Sequence, residues 1–213
     1  MKLGLNLIES DQKISTLILQ QLKIGLSETF RMSIQDITRE LKMLIADALR
    51  NQPEYASLMA GTLKAEFGLP SSDMVDMTIN EMVETLTVTS QPIKISSSQL
   101  IGGFILTMIK SDDAGGVVYS DSANVQTSDG SLAWLKWLLL EGNSDIVKGY
   151  DVVYGPYSQS RSGMAIMVSS NNNWRVPNNF IGTQNNNWTT RAIDSVEKSI
   201  YDIIKRNIQN NFK

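Results

Sequence analysis

Residues 131–143, SLAWLKWLLLEGN, open a stretch that runs on as GYDVVYGPYSQSRSGMAIMVSS (149–170) and closes as NNNWRVPNNFIGTQNNNWTTR (171–191). It holds every tryptophan of the chain: Trp134, Trp137, Trp174 and Trp188. The hydrophobic period changes several times within it, and those changes decide the fold. Trp134, Trp137 and Leu138 lie at i, i+3, i+4, one face of a short helix over Ser131–Leu140. Ser131 is its expected cap and Gly142-Asn143 its stop. Tyr150–Tyr154 alternates as a strand and ends at Gly155-Pro156. Met164–Val168 reads as its antiparallel neighbour across the loop Tyr157–Gly163. An irregular Asn-rich segment follows. Helix then resumes from about Thr189 to Asn207, with Ala192, Ile193, Val196, Ile200, Ile203, Ile204 and Ile208 on its buried face.

Upstream, the pattern is helical. Phe30, Ile34, Ile37, Leu41, Leu44, Ile45 and Ala48 recur at steps of three and four, and Ile14, Leu17, Ile18 and Leu22 do the same before Gly25. Ser10-Asp11 supplies an N-cap, and no proline interrupts the chain before Pro53. A helix of that length either crosses a domain or projects as an arm that packs on a neighbouring subunit. A second helix starts at Pro53, buries Tyr55, Leu58, Met59, Leu63 and Phe67, and stops at Gly68. A third, capped by Ser71 or Ser72, runs through Met74, Val75, Ile79, Met82, Val83 and Leu86. Between residues 65 and 93 no Lys or Arg occurs, while Glu66, Asp73, Asp76, Glu81 and Glu84 are acidic. This reads as a solvated face, or as an acidic docking surface.

From Thr85 the residues become β-type: Thr87–Thr89, then Ile93–Ile95, with Pro92 at an edge or strand start. Phe104–Ile109 and Val117–Tyr119 read as a hairpin, turning through Lys110–Asp113 and Gly115-Gly116. Asp112, Asp113, Asp121 and Asp129 lack the spacing of a calcium loop and are assigned to turns. The expected architecture is α+β: a long N-terminal helical region, a small antiparallel β-sheet, and a long C-terminal helix packed across it. Residues 1–86 form the helical region and residues 87–213 the α+β domain.

Composition narrows the chemistry. The 213 residues include no cysteine and no histidine, which removes thiolate chemistry, imidazole bases and the usual zinc sites. Gly102-Gly103 and Gly115-Gly116 lack the flanking residues of a phosphate-cradling loop, and Ser158–Gly163 is no nucleophile elbow. The expectation is a protein that is not an enzyme, with no cofactor and no metal. A net charge of −3 argues against a broad nucleic-acid-gripping face, yet suits a lumen through which DNA slides. No window has the ~18 apolar residues of a membrane span, and the N-terminus lacks a signal-peptide core. Interface candidates are Arg161, Trp174, Arg175, Trp188 and Arg191. Guanidinium groups bind carboxylates bidentately, and indoles are rigid anchors. Equally, those residues can tie their loop to its own sheet.

Leu132–Gly142, Tyr150–Pro156, Ser160–Val168, Trp174-Arg-Val-Pro177, Gly182-Thr183 and Asn187–Ile193 together resemble the neck and tail-completion (head–tail joining) proteins of tailed bacteriophages. Pro53–Tyr55 and Phe67–Leu69 fit more loosely. The likeness spans about residues 50–205 and is specific in the second half. It implies a structural virion protein whose copies form a ring between the capsid portal or connector and the tail terminator or tail tube. DNA passes through that ring without sequence-specific binding. A baseplate or minor tail protein, or the equivalent in a contractile injection system, is the alternative. A carboxylate-based hydrolase carried on such a particle is the third.

Overall fold

The computed structural model describes residues 10–109, 114–127 and 130–212. Helix α1 runs from Asp11 to Arg50 without interruption at Gly25. Its start follows from Ser10, whose Oγ accepts from the Lys13 amide at 3.3 Å. From Ile37 onward the expected stripe is buried: Ile37, Leu41, Ile45 and Ala48. Before Gly25 it is not. Leu17 is 51% exposed and Ile18 54%.

The second expected helix is two helices, α2 (Pro53–Ala60) and α3 (Thr62–Phe67), because Gly61 between them is extended. The Ser57 hydroxyl accepts from the Leu63 amide at 3.0 Å and so restarts the turn. Gly68 ends α3 in the left-handed conformation with φ 66°, where a side chain would be strained. Helix α4 (Asp73–Glu84) follows, and Ser71 Oγ accepts from the Asp73 amide at 3.1 Å.

The mixed α+β class is as expected, but the strands form three separate two-stranded antiparallel ladders. β1 (Thr87–Ser96) pairs with β2 (Gln99–Thr107), with Val88 opposite Leu106 and a register shift between Gln91 and Lys94 where Pro92 cannot donate. This replaces the hairpin expected between Phe104–Ile109 and Val117–Tyr119. The real turn is Ser97-Ser98, both at positive φ (46° and 63°). Gly115 and Gly116 lie in a short helix, α5 (Ala114–Val117). The turn residues Lys110–Asp113 lie outside the described residues, as does Asp129. A small ladder joins β3 (Val125–Thr127) to β4 (Gly130–Leu132). Ser131 therefore sits in a strand and does not cap a helix. Helix α6 begins later, over Trp134–Leu139.

The ladder expected from Tyr150–Tyr154 and Met164–Val168 forms as β5 (Val147–Tyr154) and β6 (Ala165–Trp174), with Val153 opposite Ile166. The final helical segment divides at Val196 into α7 (Trp188–Ser195) and α8 (Glu197–Asn211). Asn187 and Thr190 form a reciprocal capping box that fixes where α7 starts.

Two compact units are assembled from discontinuous pieces of the chain. The first contains α1 as far as Glu40, the β1–β2 hairpin and the chain from Tyr201. In it Phe30 stacks on Phe104 at 4.6 Å between centroids. Arg206 pairs with Glu40, and Asn207 Nδ2 donates to Glu40 Oε1 at 3.2 Å. Ser33 Oγ donates to the Asn207 carbonyl at 3.3 Å. The second unit holds residues 41–86 and 108–200. Its core includes Leu58, Leu63, Phe67, Ile79, Trp134 and Trp188, all fully buried. Burying one such aliphatic or Phe side chain contributes about 1.5–3 kcal/mol. Among the described residues no helix is long and apolar enough to cross a membrane.

Candidate functional site

The expected interface residues all fall in the second unit, and the structure sorts them by depth. Trp174 closes β6 with its ring buried. It meets Phe67 edge-on at 5.6 Å, and Phe67 in turn lies 6.3 Å from Trp134. Three aromatic rings thus connect β6, α3 and α6. The Trp174 indole Nε1–H donates to Glu66 Oε2 at 2.9 Å, and the Tyr154 hydroxyl donates to Glu66 Oε1. Burial of the phenol, then the hydrogen bond to Glu66 and its negative charge, push the Tyr154 pKa above its ordinary value.

Trp188 is fully buried, and its Nε1–H donates to the Leu49 carbonyl at 3.0 Å. That carbonyl belongs to the last turn of α1, where no intrahelical donor remains. Arg191 turns inward too. Its Nε donates to Glu54 Oε1 at 3.1 Å, its Nη2 pairs with the same oxygen, and its Nη1 donates to Asn186 Oδ1 at 2.6 Å. Glu54 is 1% exposed. Trp174, Trp188 and Arg191 therefore act from inside, tying the Asn-rich segment to the helices. Trp174 and Trp188 are buried, whereas the Arg191 side chain stays 30% exposed.

Arg161 and Arg175 remain on the surface. Arg175 Nη2 donates to Asn178 Oδ1 at 3.2 Å. Among the described residues Arg161 makes no ion pair. Its guanidinium lies over Gly68, where a Cβ would meet Nη2 at 2.9 Å. It borders a cleft of about 570 Å³ that Trp137, Ile146, Tyr150, Val152 and Met167 also line. Trp137 carries the Lys136 ammonium 5.8 Å from its ring centroid. The Lys136 pKa is raised, first by its hydrogen bond to Glu141.

Glycines permit the close backbone approach that holds the Asn-rich segment. The Gly142 amide donates to the Gly182 carbonyl at 3.2 Å, and a Cβ on Gly182 would lie 1.9 Å from the Leu138 carbonyl oxygen. The stop at Gly142 and the Gly182-Thr183 step thus have one packing cause.

Of the two carboxylates on which this site turns, reading by sequence gave Glu54 no role and placed Glu66 only in the acidic stretch. Glu54 follows Pro53 in the first turn of α2, and Glu66 stands between buried Ala65 and Phe67. An acidic residue embedded in an apolar run was the available signal. The acidic stretch is not a free face. Asp76 accepts from Arg50 Nε at 3.0 Å, Glu81 accepts from Ser122 at 2.7 Å, and Lys42 pairs with Glu84 at 2.5 Å.

Among the described residues no cluster of three or more carboxylates is placed to hold a metal. Asp121 starts a 3-10 turn, whereas Asp112 and Asp113 lie outside the described residues. Comparison with family models, curated proteins and solved structures gives no match.

Proposed function

We propose that this chain is a non-enzymatic structural protein of the tailed-phage neck, a ring subunit that joins the capsid portal or connector to the tail. The observation that carries the reading is the division of labour along the resembling stretch. Trp174, Trp188, Arg191 and Gly182 are spent on holding an irregular segment rigid, while Arg175 on that segment and Arg161 on the β5–β6 loop stay exposed. A rigid, arginine-bearing surface suits joining by shape and charge, where preorganisation limits the cost of association.

The charge balance supports the same reading. Nineteen basic and 22 acidic side chains leave the protein weakly negative, so a lumen built from it does not grip phosphate. Exposed apolar residues on α1 supply surface that assembly can bury. Its location follows as virion, synthesised in the host cytoplasm, with other phage structural proteins as partners and no membrane.

The test is genetic. Particles made without this chain should accumulate as DNA-filled heads and finished tails that do not join. Joined but non-infectious particles would remove it from the head–tail junction and favour the baseplate or minor-tail alternative.

A further inference from the structure

The two ends of the β5–β6 ladder meet at one side chain. Val147 stands opposite Trp174 at one end and Tyr154 opposite Ala165 at the other, so an unbent β5 would hold those ends about 23 Å apart. Yet the Trp174 indole and the Tyr154 hydroxyl donate to the two oxygens of the same Glu66 carboxylate. The ladder is therefore arched. It bends where the register shifts across Gly149, whose φ is 77°. Tyr150, Val152 and Tyr154 alternate onto one face, with Met167 opposite Val152, and the Tyr154 bond to Glu66 turns that face toward α3. Packing leaves Tyr150 39% exposed and Met167 36%, and both line the cleft of about 570 Å³ together with Trp137 and Arg161.

We propose that the hollow of this arch binds the C-terminal end of a partner polypeptide. Its terminal carboxylate is held by Arg161, and its last apolar side chains lie against Trp137, Tyr150, Val152 and Met167. Charge selects the occupant. Glu66 also lines the cleft, but both of its oxygens already accept hydrogen bonds. Arg161 makes no ion pair and no hydrogen bond among the described residues. It is nonetheless seated, because its guanidinium lies over Gly68 in space that a Cβ would take. A placed, unpaired guanidinium fits one planar carboxylate, which it can grip with two parallel bonds. A phosphate chain would find a single cation there beside the Glu66 carboxylate, which disfavours nucleic acid. The volume is that of a site for one small ligand or a short peptide end, apolar and aromatic with a single orienting charge. Both ends of the arch close on Glu66, so a chain terminus fits the hollow better than a segment running through it. The site rests on the geometry of the second unit and not on the neck reading.

The indole N–H signals of the full chain supply the readout. Trp134, Trp174 and Trp188 donate theirs to the Ser122 carbonyl, Glu66 and the Leu49 carbonyl, whereas Trp137 lines the cleft. The probe is a library of N-acetyl hexapeptides with apolar residues at the last three positions, made once as free acids and once as C-terminal amides. Titration with free acids should move the Trp137 signal most. The best acid should bind about tenfold or more tightly than its own amide. Arg161→Ala should remove that preference and leave the amide's affinity unchanged, and Arg161→Lys should keep part of it. The other three indole signals, unmoved in each variant, check that the fold is kept. The proposal is overturned if no free acid moves the Trp137 signal, if acid and amide bind alike, or if Arg161→Ala still prefers the acid. None of these results depends on whether particles join, so this site and the neck reading fail separately.

Discussion

Trp174 reaches across 108 residues of sequence to donate its indole N–H to Glu66 at 2.9 Å. This bond fastens the end of β6 to α3, and Tyr154 from β5 donates to the same carboxylate. Both strands of the β5–β6 ladder are thereby hydrogen-bonded to one side chain of α3. That attachment fixes the loop carrying Arg161 relative to Gly68.

Trp174→Phe keeps the aromatic contact with Phe67 and removes the hydrogen bond. Loss of a bond to a charged acceptor should cost about 1.5–3 kcal/mol in urea unfolding. Trp174→Ala, which also empties the buried ring site, should cost about 3–5 kcal/mol. Equal losses in the two variants would show that the Glu66 bond contributes nothing.

Arg191→Ala leaves the Glu54 carboxylate buried without its cation. The expected loss is about 3 kcal/mol, at the low end for a broken buried pair because Arg191 is 30% exposed. Glu54→Gln added to Arg191→Ala should recover part of that loss, since a neutral amide replaces the stranded charge. A double variant less stable than Arg191→Ala would contradict the assignment.

The raised pKa of Tyr154 makes a prediction for alkaline pH. Below the ordinary phenol value of about 10 both states keep the proton, and the contribution of Tyr154 is complete. Above it the unfolded chain releases the proton first, so stability falls as pH rises toward the higher folded-state value. Urea midpoints measured from about pH 8 to 11 should therefore decline more steeply for the native chain than for Tyr154→Phe. Parallel declines would show that Tyr154 is not the group responsible.

Much of the second half of the fold was legible in the sequence. Alternation over Tyr150–Tyr154 and Met164–Val168 located the β5–β6 ladder because each strand carries its own period. Gly68 marked a helix end because a left-handed residue is needed there. The β1–β2 hairpin was misassigned because its turn is Ser97-Ser98 and not a glycine pair. Positive φ at two serines leaves no compositional mark, whereas Gly115-Gly116 offered a conspicuous but false turn.

The candidate site was legible by residue and not by depth. Trp174, Trp188 and Arg191 do organise the Asn-rich segment, the two indoles from buried positions and Arg191 from a partly exposed one. Arg191 bonds to Glu54, Trp174 to Glu66 and Trp188 to the Leu49 carbonyl, each more than a hundred residues away in sequence, and no local pattern pairs those partners. Uncovered apolar residues at Leu17 and Ile18 look the same in sequence as the covered Ile37 and Leu41.

Arg161→Ala and Arg175→Ala should leave stability within about 0.5 kcal/mol of the native chain, since both are surface side chains and, among the described residues, neither forms an ion pair. Each should nevertheless reduce the yield of joined particles when purified heads and tails are mixed with the variant. Full joining activity in a folded variant would remove that arginine from the joining surface.

The central claim is one of place, and immunogold labelling of intact particles with antibody against this chain tests it most directly. The account predicts label at the junction directly below the capsid. Label at the distal tail tip, or particles carrying none, would contradict it.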